Sequence, residues 1–288
     1  MEISLHDYIR SKGVGPTFEV DIDPLPSLFS NYYEESLKAA EYVWANKQGT
    51  LYLLYSGGLD SEYALSVFLA LRMNVVPVII HLTPSYNDHD IEYAFRFCKQ
   101  KNIEPLVIDV NFDEFVESGL MLDLSMQIRS WVPVRAATAH VCGMLDGTVL
   151  LGDGEPTIEK LGRDWYITIL EHDYALVNYF KQRGLHGTPH FNRYTPEMMA
   201  SFLTDPVIMR TALNVFDNTI SSDRLKCLIY NADSGFNLEA RPKYHGYETV
   251  AKSEIVKHGD FLKLKQFEST CKQTIRKRYF DFITQHGL

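Results

Sequence analysis

Residues 50–61 read TLYLLYSGGLDS, and this stretch decides the fold. Thr50–Tyr55 is a compact apolar run of the kind a sheet buries on both faces. Ser56-Gly57-Gly58-Leu59-Asp60-Ser61 follows at once. Leu59–Arg72 then carries Ala64, Leu65, Val67, Phe68 and Leu71 on a helical pattern. The order is strand, glycine loop, helix. Gly57 and Gly58 let the backbone turn tightly and approach a ligand closely. The helix start adds free N–H groups and the positive end of the dipole, so the loop is an anion cradle suited to phosphate. Ser56 and Ser61 add hydroxyl donors. Asp60 is out of place beside phosphate unless a cation mediates, which implies Mg²⁺. The GK[ST] ending of a Walker A loop is absent, and so is the GxGxxG spacing of a dinucleotide site.

Outward from this stretch the pattern repeats. Val75–His81, Pro105–Asp109 and Thr148–Leu151 read as further strands, and Asp88–Lys101, a segment near Phe112–Val116 and Val134–Leu145 as helices. Apolar strands alternating with helices predict an α/β fold, a parallel twisted sheet with helices on both faces. Ligands bind such sheets at the carboxyl ends of the strands. Upstream, Thr17–Asp21 reads as a short strand, Asp23–Pro26 as a turn and Tyr33–Asn46 as a helix. Beyond residue 160 the pattern turns helical and irregular, with an exposed Gly/His/Pro loop expected at Gly184–Asn192. Helices are expected at Pro196–Phe202 and Phe261–Gln285. The expected division is an N-terminal extension over 1–48, an α/β core over 49–160 and a mostly helical region over 161–288.

A second loop, Gly152-Asp153-Gly154, ends the strand at Thr148–Leu151. Taken alone, Gly-Asp-Gly is most often a tight turn. Together with SGGLDS it resembles the PP-loop ATP pyrophosphatase family, whose signature is SGGxDS, and within it the synthetase domain of asparagine synthetase. The resemblance covers about residues 50–160. The family pattern continues with Asp-Glu after the second glycine, where this chain has Glu155-Pro156.

The resemblance implies an α-hydrolase-like core that binds ATP and Mg²⁺ and cleaves ATP between the α and β phosphates. AMP is transferred to a carboxylate or amide oxygen, and a nitrogen nucleophile then displaces it. It implies that Ser56, Gly57, Gly58, Leu59, Asp60 and Ser61 cradle pyrophosphate, with Gly152, Asp153 and Gly154 opposite. Asp60 and Asp153 are the implied metal ligands, and His81 and Leu82 flank the adenosine. Cations must stabilise the leaving pyrophosphate. The candidates are Arg129, Arg135, Lys160, Arg163, Arg241 and Lys243, of which Arg241 and Lys243 are best placed to reach back over the site as catalytic groups. Asp109 is either a helix or turn cap or a group that faces the substrate or magnesium. His140 reads as a core histidine, and His186 and His190 flank the Gly/Pro loop.

Composition narrows the class. The 288 residues hold 28 basic and 37 acidic side chains, for a net charge of −9, which argues against wholesale coating of nucleic acid. No apolar run spans a membrane. The opening residues lack the apolar segment of a signal peptide, and the four cysteines form no CxxC pair, so a reducing cytoplasm is expected. Arg241–Arg278 is locally basic, with ten Lys/Arg against four Asp/Glu and interleaved aromatics. That run motivates a second reading, a tRNA- or nucleobase-modifying enzyme of the same fold, with Cys142 as a sulfur carrier if it thiolates. A third is a non-catalytic ATP-binding protein. Expected partners are a small acceptor bearing a carboxylate or amide and, for nitrogen, free ammonia, an ammonia-donating subunit or an amine substrate. A homo-oligomer is compatible with the sequence.

Overall fold

The computed structural model describes residues 9–12, 19–130, 132–153, 156–213, 222–242 and 274–288. Five parallel strands form the central sheet: β3 (Thr50–Leu54), β4 (Val76–Thr83), β5 (Leu106–Asn111), β6 (Gly147–Leu151) and β9 (His186–Thr188). Their order is β5-β4-β3-β6-β9. Successive side chains of a strand point to opposite faces. Leu51 and Leu53 therefore enter one core and Leu54 the other, and in β6 Leu150 separates from Val149 and Leu151 in the same way. The first face is covered by α1 (Tyr32–Asn46), α2 (Leu59–Ala70) and α3 (Asp88–Lys101). The second is covered by α4 (Phe112–Glu117), α5 (Leu120–Ile128), α6 (Pro133–Cys142) and α7 (Ala175–Arg183). The sheet is thus sandwiched, as its apolar strands require. Among the described residues no helix is long and apolar enough to cross a membrane.

A short antiparallel pair, β1 (Ile9–Lys12) and β2 (Glu19–Ile22), lies upstream. After the core, β7 (Thr157–Leu161) and β8 (Asp164–Leu170) form a hairpin, joined on the far side of β8 by β10 (Thr274–Arg278). Helices α8 (Pro196–Leu203), α9 (Pro206–Leu213) and α10 (Ser222–Asn231) follow the sheet, and a last helix covers Tyr279–Gln285.

Helices still dominate the described residues after 161, but three expectations change. Gly184–Asn192 is not an exposed loop: His186–Thr188 is the fifth strand, and Thr188, His190 and Asn192 are buried. Gly187 has φ +129, and its α-carbon lies against the Val149 backbone where a side chain would collide. Gly and Pro look like loop signals here because the strand needs close approach rather than apolar side chains. Trp165 and Tyr166 belong to β8, not to an irregular segment. The helix expected over 261–285 begins only at Tyr279; Thr274–Arg278 is a strand pairing with β8, and 261–273 lie outside the described residues. Two of the strand's three basic residues are engaged across the sheet, Arg276 with Glu159 at 3.0 Å and Arg278 with Asp164 at 2.8 Å.

Candidate functional site

β4 and β5 lie to one side of β3, and β6 and β9 to the other. The carboxyl ends of β3 and β6 therefore flank the crevice where the winding reverses, the usual ligand position in such sheets. Ser56–Ser61 leaves β3 there, and Gly152-Asp153 leaves β6.

Close approach fixes two of the glycines. Gly57 has φ +76, and a Cβ on it would lie 2.8 Å from the Ala94 nitrogen of α3. Gly152 packs on the other loop, where a Cβ would lie 2.6 Å from the Ser61 α-carbon and 2.7 Å from the Asp60 carbonyl. Gly58 differs. It is the N-cap of α2 with φ −77, and a Cβ would meet only the Ser56 hydroxyl at 3.3 Å. The fold does not demand glycine at 58, whose N–H donates to the Ser56 hydroxyl at 3.3 Å. The Ser56 and Ser61 hydroxyls lie 3.2 Å apart, and Ser61 donates to the Gly58 carbonyl at 3.1 Å.

Asn192 ties the two loops together. It is fully buried, and its amide nitrogen donates to the Gly152 carbonyl and, at 3.2 Å, to the Asp60 carbonyl. The Tyr32 hydroxyl donates to its backbone carbonyl at 2.6 Å. The Asp60 carboxylate is held from α10. Lys226 Nζ pairs with Oδ2 at 2.8 Å, and the Tyr230 hydroxyl donates to Oδ1 at 2.9 Å. The Tyr230 ring is stacked 4.2 Å from Tyr63, which is itself stacked on Tyr32.

Arg241 comes from beyond α10 and reaches the same loop. Its guanidinium donates to the Gly57 carbonyl and to Glu62 Oε2 at 2.5 Å, and lies 4.9 Å from the centre of the Tyr93 ring. Glu62 is buried and also accepts from the Tyr55 hydroxyl at 2.7 Å. Arg241 thus neutralises a buried carboxylate, a role that leaves no buried charge unpaired.

Asp153 leaves β6 as an exposed residue whose carboxyl is packed round by protein. Crowding by protein raises its carboxyl above the usual range; Arg135 and Lys226 oppose this, and Asp60 and Asp173 reinforce it. Arg135, near the start of α6, pairs with Asp173 at 3.1 Å. Asp60, Asp153, Arg135 and Lys226 therefore form one mixed-charge group at the mouth of β3 and β6.

His81, at the end of β4, bridges Asp109 at 2.8 Å and Asp88 at 2.9 Å. Burial lowers its basicity, but the hydrogen bonds to Asp109 and Asp88 outweigh this and raise it. Asp109 is thereby a partner of His81 rather than a turn cap. The side chains of Leu59 and Leu82 lie in the two cores, so only their backbones face outward. Arg129 is the exposed C-cap of α5, Arg163 lies exposed in the β7–β8 turn, and Lys160 stands over the Trp165 ring. Among the described residues neither Arg129 nor Arg163 is brought to the loops. His140 packs on Phe115, and His186 bonds Thr148 at 2.8 Å. Lys243 and Gly154 lie outside the described residues.

Cys142 is fully buried, and burial pushes its thiol well up, as it does Cys98, to about 11. Neither is a thiolate at neutral pH.

Sequence reasoning did not single out Asn192, Lys226, Tyr230 or Glu62. Lys226 and Tyr230 carry a signal, being one turn apart beside buried Leu225 and Ile229, so a lysine sits on an apolar helix face. Asn192 carries none.

For a metal, the donor set divides. Magnesium keeps several waters and takes one or two carboxylates with substrate phosphates. Asp153 fits that role. Both Asp60 oxygens already accept hydrogen bonds, one of them from a cation.

No family model matches the chain, and no curated protein does. Among solved structures it is similar to a predicted subunit of tRNA methyltransferase from Methanocaldococcus jannaschii. The identity is 16% and the TM-score 0.37, over 73% of this chain and 88% of that one. It is also similar to the NH3-dependent NAD synthetase from Campylobacter jejuni subsp. jejuni, at 15% identity and TM-score 0.36, over 82% of this chain and 90% of that one.

Proposed function

We propose that the chain is an ATP-dependent, AMP-forming synthetase of the PP-loop kind. One observation carries the reading: the SGGLDS loop and the Gly152-Asp153 loop meet in backbone contact at the switch point of a parallel sheet, pinned by Asn192. A loop of bare glycine backbone at a helix N-terminus, facing a carboxylate and two protein cations, is suited to a polyphosphate with its metal.

In this reading the backbone of Ser56–Ser61 and the start of α2 bind the β and γ phosphates. Bound magnesium supplies charge neutralisation on the pyrophosphate, and Asp153 is the side chain that holds it. An acceptor carboxylate or amide oxygen attacks the α phosphorus, and the bond from that phosphorus to the bridging oxygen breaks. Pyrophosphate leaves. A nitrogen nucleophile then attacks the activated carbon, loses a proton and expels AMP. Arg135 adds charge near Asp153, and Arg241 holds the glycine loop in shape through Gly57 and Glu62. The chain's contribution is chiefly positioning and fixed charge.

The tRNA-modifying reading takes second place. Its basic run contributes Arg241 to the loop and Arg276 and Arg278 to ion pairs, and Cys142 is sealed in the core. The test is incubation with Mg²⁺ and α-labelled ATP, with pools of small carboxylates, amides or bulk tRNA in separate tubes, each with ammonium. AMP with pyrophosphate in a carboxylate or amide tube supports the proposal. AMP only with tRNA favours the second reading. ADP contradicts α–β cleavage, and saturable ATP binding without turnover favours a binding protein.

A further inference from the structure

We infer that Lys226 is the resident cation of Asp60, so that the ATP-loaded site takes a single divalent metal, held by Asp153, and Asp60 ligates none. The inference rests on the ATP-binding reading above and fixes its metal stoichiometry.

The geometry of Asp60 supports it. Lys226 is buried, its ammonium lies 2.8 Å from Asp60 Oδ2, and Asp223 lies 3.7 Å away on the same helix. An ammonium held away from water keeps its charge only while paired, so Lys226 is not readily displaced from the carboxylate. The second oxygen is engaged as well. Tyr230 donates to it, and the Tyr230 ring cannot swing aside, being fully buried and stacked against Tyr63 and Tyr32. The backbone of Asp60 is fixed independently by Asn192. A dication at Asp60 would face the ammonium at close range in a partly desolvated site, where like charges repel most strongly. Among the described residues no three His, Cys, Asp or Glu side chains gather to hold a metal. Asp153 is set differently: it is an exposed residue at the end of β6, and among the described residues none donates to its carboxylate as Lys226 and Tyr230 donate to that of Asp60. Lysine is an established phosphate partner as a compact point charge. A lysine fixed at Asp60 therefore supplies positive charge near the phosphates while cancelling the repulsion that an unpaired aspartate would add.

The test is Mn²⁺ binding to the full chain saturated with a non-hydrolysable ATP analogue, read by electron paramagnetic resonance. The wild type is expected to bind one Mn²⁺ per nucleotide complex. Asp60→Asn is expected to keep that ion, while Asp153→Asn weakens it by more than the roughly 10- to 100-fold typical of losing an outer-shell partner. Two Mn²⁺ in the wild-type complex, or loss of the one ion in Asp60→Asn with nucleotide still bound, overturns the inference and leaves the ATP reading standing. Failure of the wild type to bind the nucleotide overturns both. The wild-type count alone decides the matter if either variant does not fold.

Discussion

The side-chain amide of Asn192 donates to the main-chain carbonyl of Asp60 at 3.2 Å, although 132 positions separate the two residues. The same nitrogen serves the Gly152 carbonyl, so one buried group sets the spacing of both loops. Asn192→Ala is expected to cost about 1–3 kcal/mol, chiefly for the Gly152 carbonyl, since the Asp60 carbonyl keeps its helical partner in α2. Asn192→Asp is expected to cost more, because an acceptor then faces two acceptors. Urea denaturation gives the stability, and calorimetry with ATP should show weaker binding in both variants.

The glycines divide by cause. Gly152→Ala drives a Cβ into the Asp60–Ser61 backbone, so both folding and ATP binding should suffer, with a stability loss of about 1–3 kcal/mol. Gly58→Ala meets only the Ser56 hydroxyl in a permitted conformation and should stay within about 0.5 kcal/mol of wild type. ATP affinity should nonetheless fall, since the methyl group occupies the space a phosphate approaches. Parallel melts and ATP titrations separate the two cases. Equal affinity of Gly58→Ala and wild type would place the phosphates elsewhere.

Asp153 carries a trade between stability and binding. Its folded carboxyl is raised, so its favourable contribution is present below the ordinary aspartate value of about 3.9 and is lost as pH rises through the folded value. At neutral pH the ionised group is a cost. Asp153→Asn should therefore raise the melting temperature at pH 7, and the gain should shrink as the pH approaches 4. Metal-dependent ATP binding should fall in the same variant. An unchanged or lowered melting temperature at pH 7 would contradict the assignment.

His81 shows the reverse chemistry. Its folded value is raised above that of free histidine, about 6.5, so the bridge to Asp109 and Asp88 stabilises fully below that pH and fades as pH rises through the folded value. Both partners are largely exposed, so screening keeps the effect modest. The melting-temperature gap between wild type and His81→Asn should be wider at pH 5.5 than at pH 8.5. Added salt should narrow it.

The core was legible because its signals are local. TLYLLY, the glycine loop and the apolar helix behind it are contiguous, and each agrees with the same parallel sheet. What lay further along depended on contacts between distant segments. β9 is three residues with a glycine, chosen to fit against Val149 rather than to look like a strand. β10 is strongly basic because it pairs at the edge of β8 and meets Glu159 and Asp164 there. In the site, the glycine loops could be read because their chemistry needs special backbone. Lys226, Tyr230 and Asn192 are ordinary residues whose roles arise from where α10 and the segment after β9 dock.

The most direct measurement is isotope exchange between radiolabelled pyrophosphate and ATP, run with Mg²⁺, an acceptor pool and no nitrogen nucleophile. Reversible adenylation returns label to the β and γ positions of ATP, and the account predicts that exchange, dependent on acceptor and weakened in Gly58→Ala. Phosphate release with ADP and no exchange would contradict it.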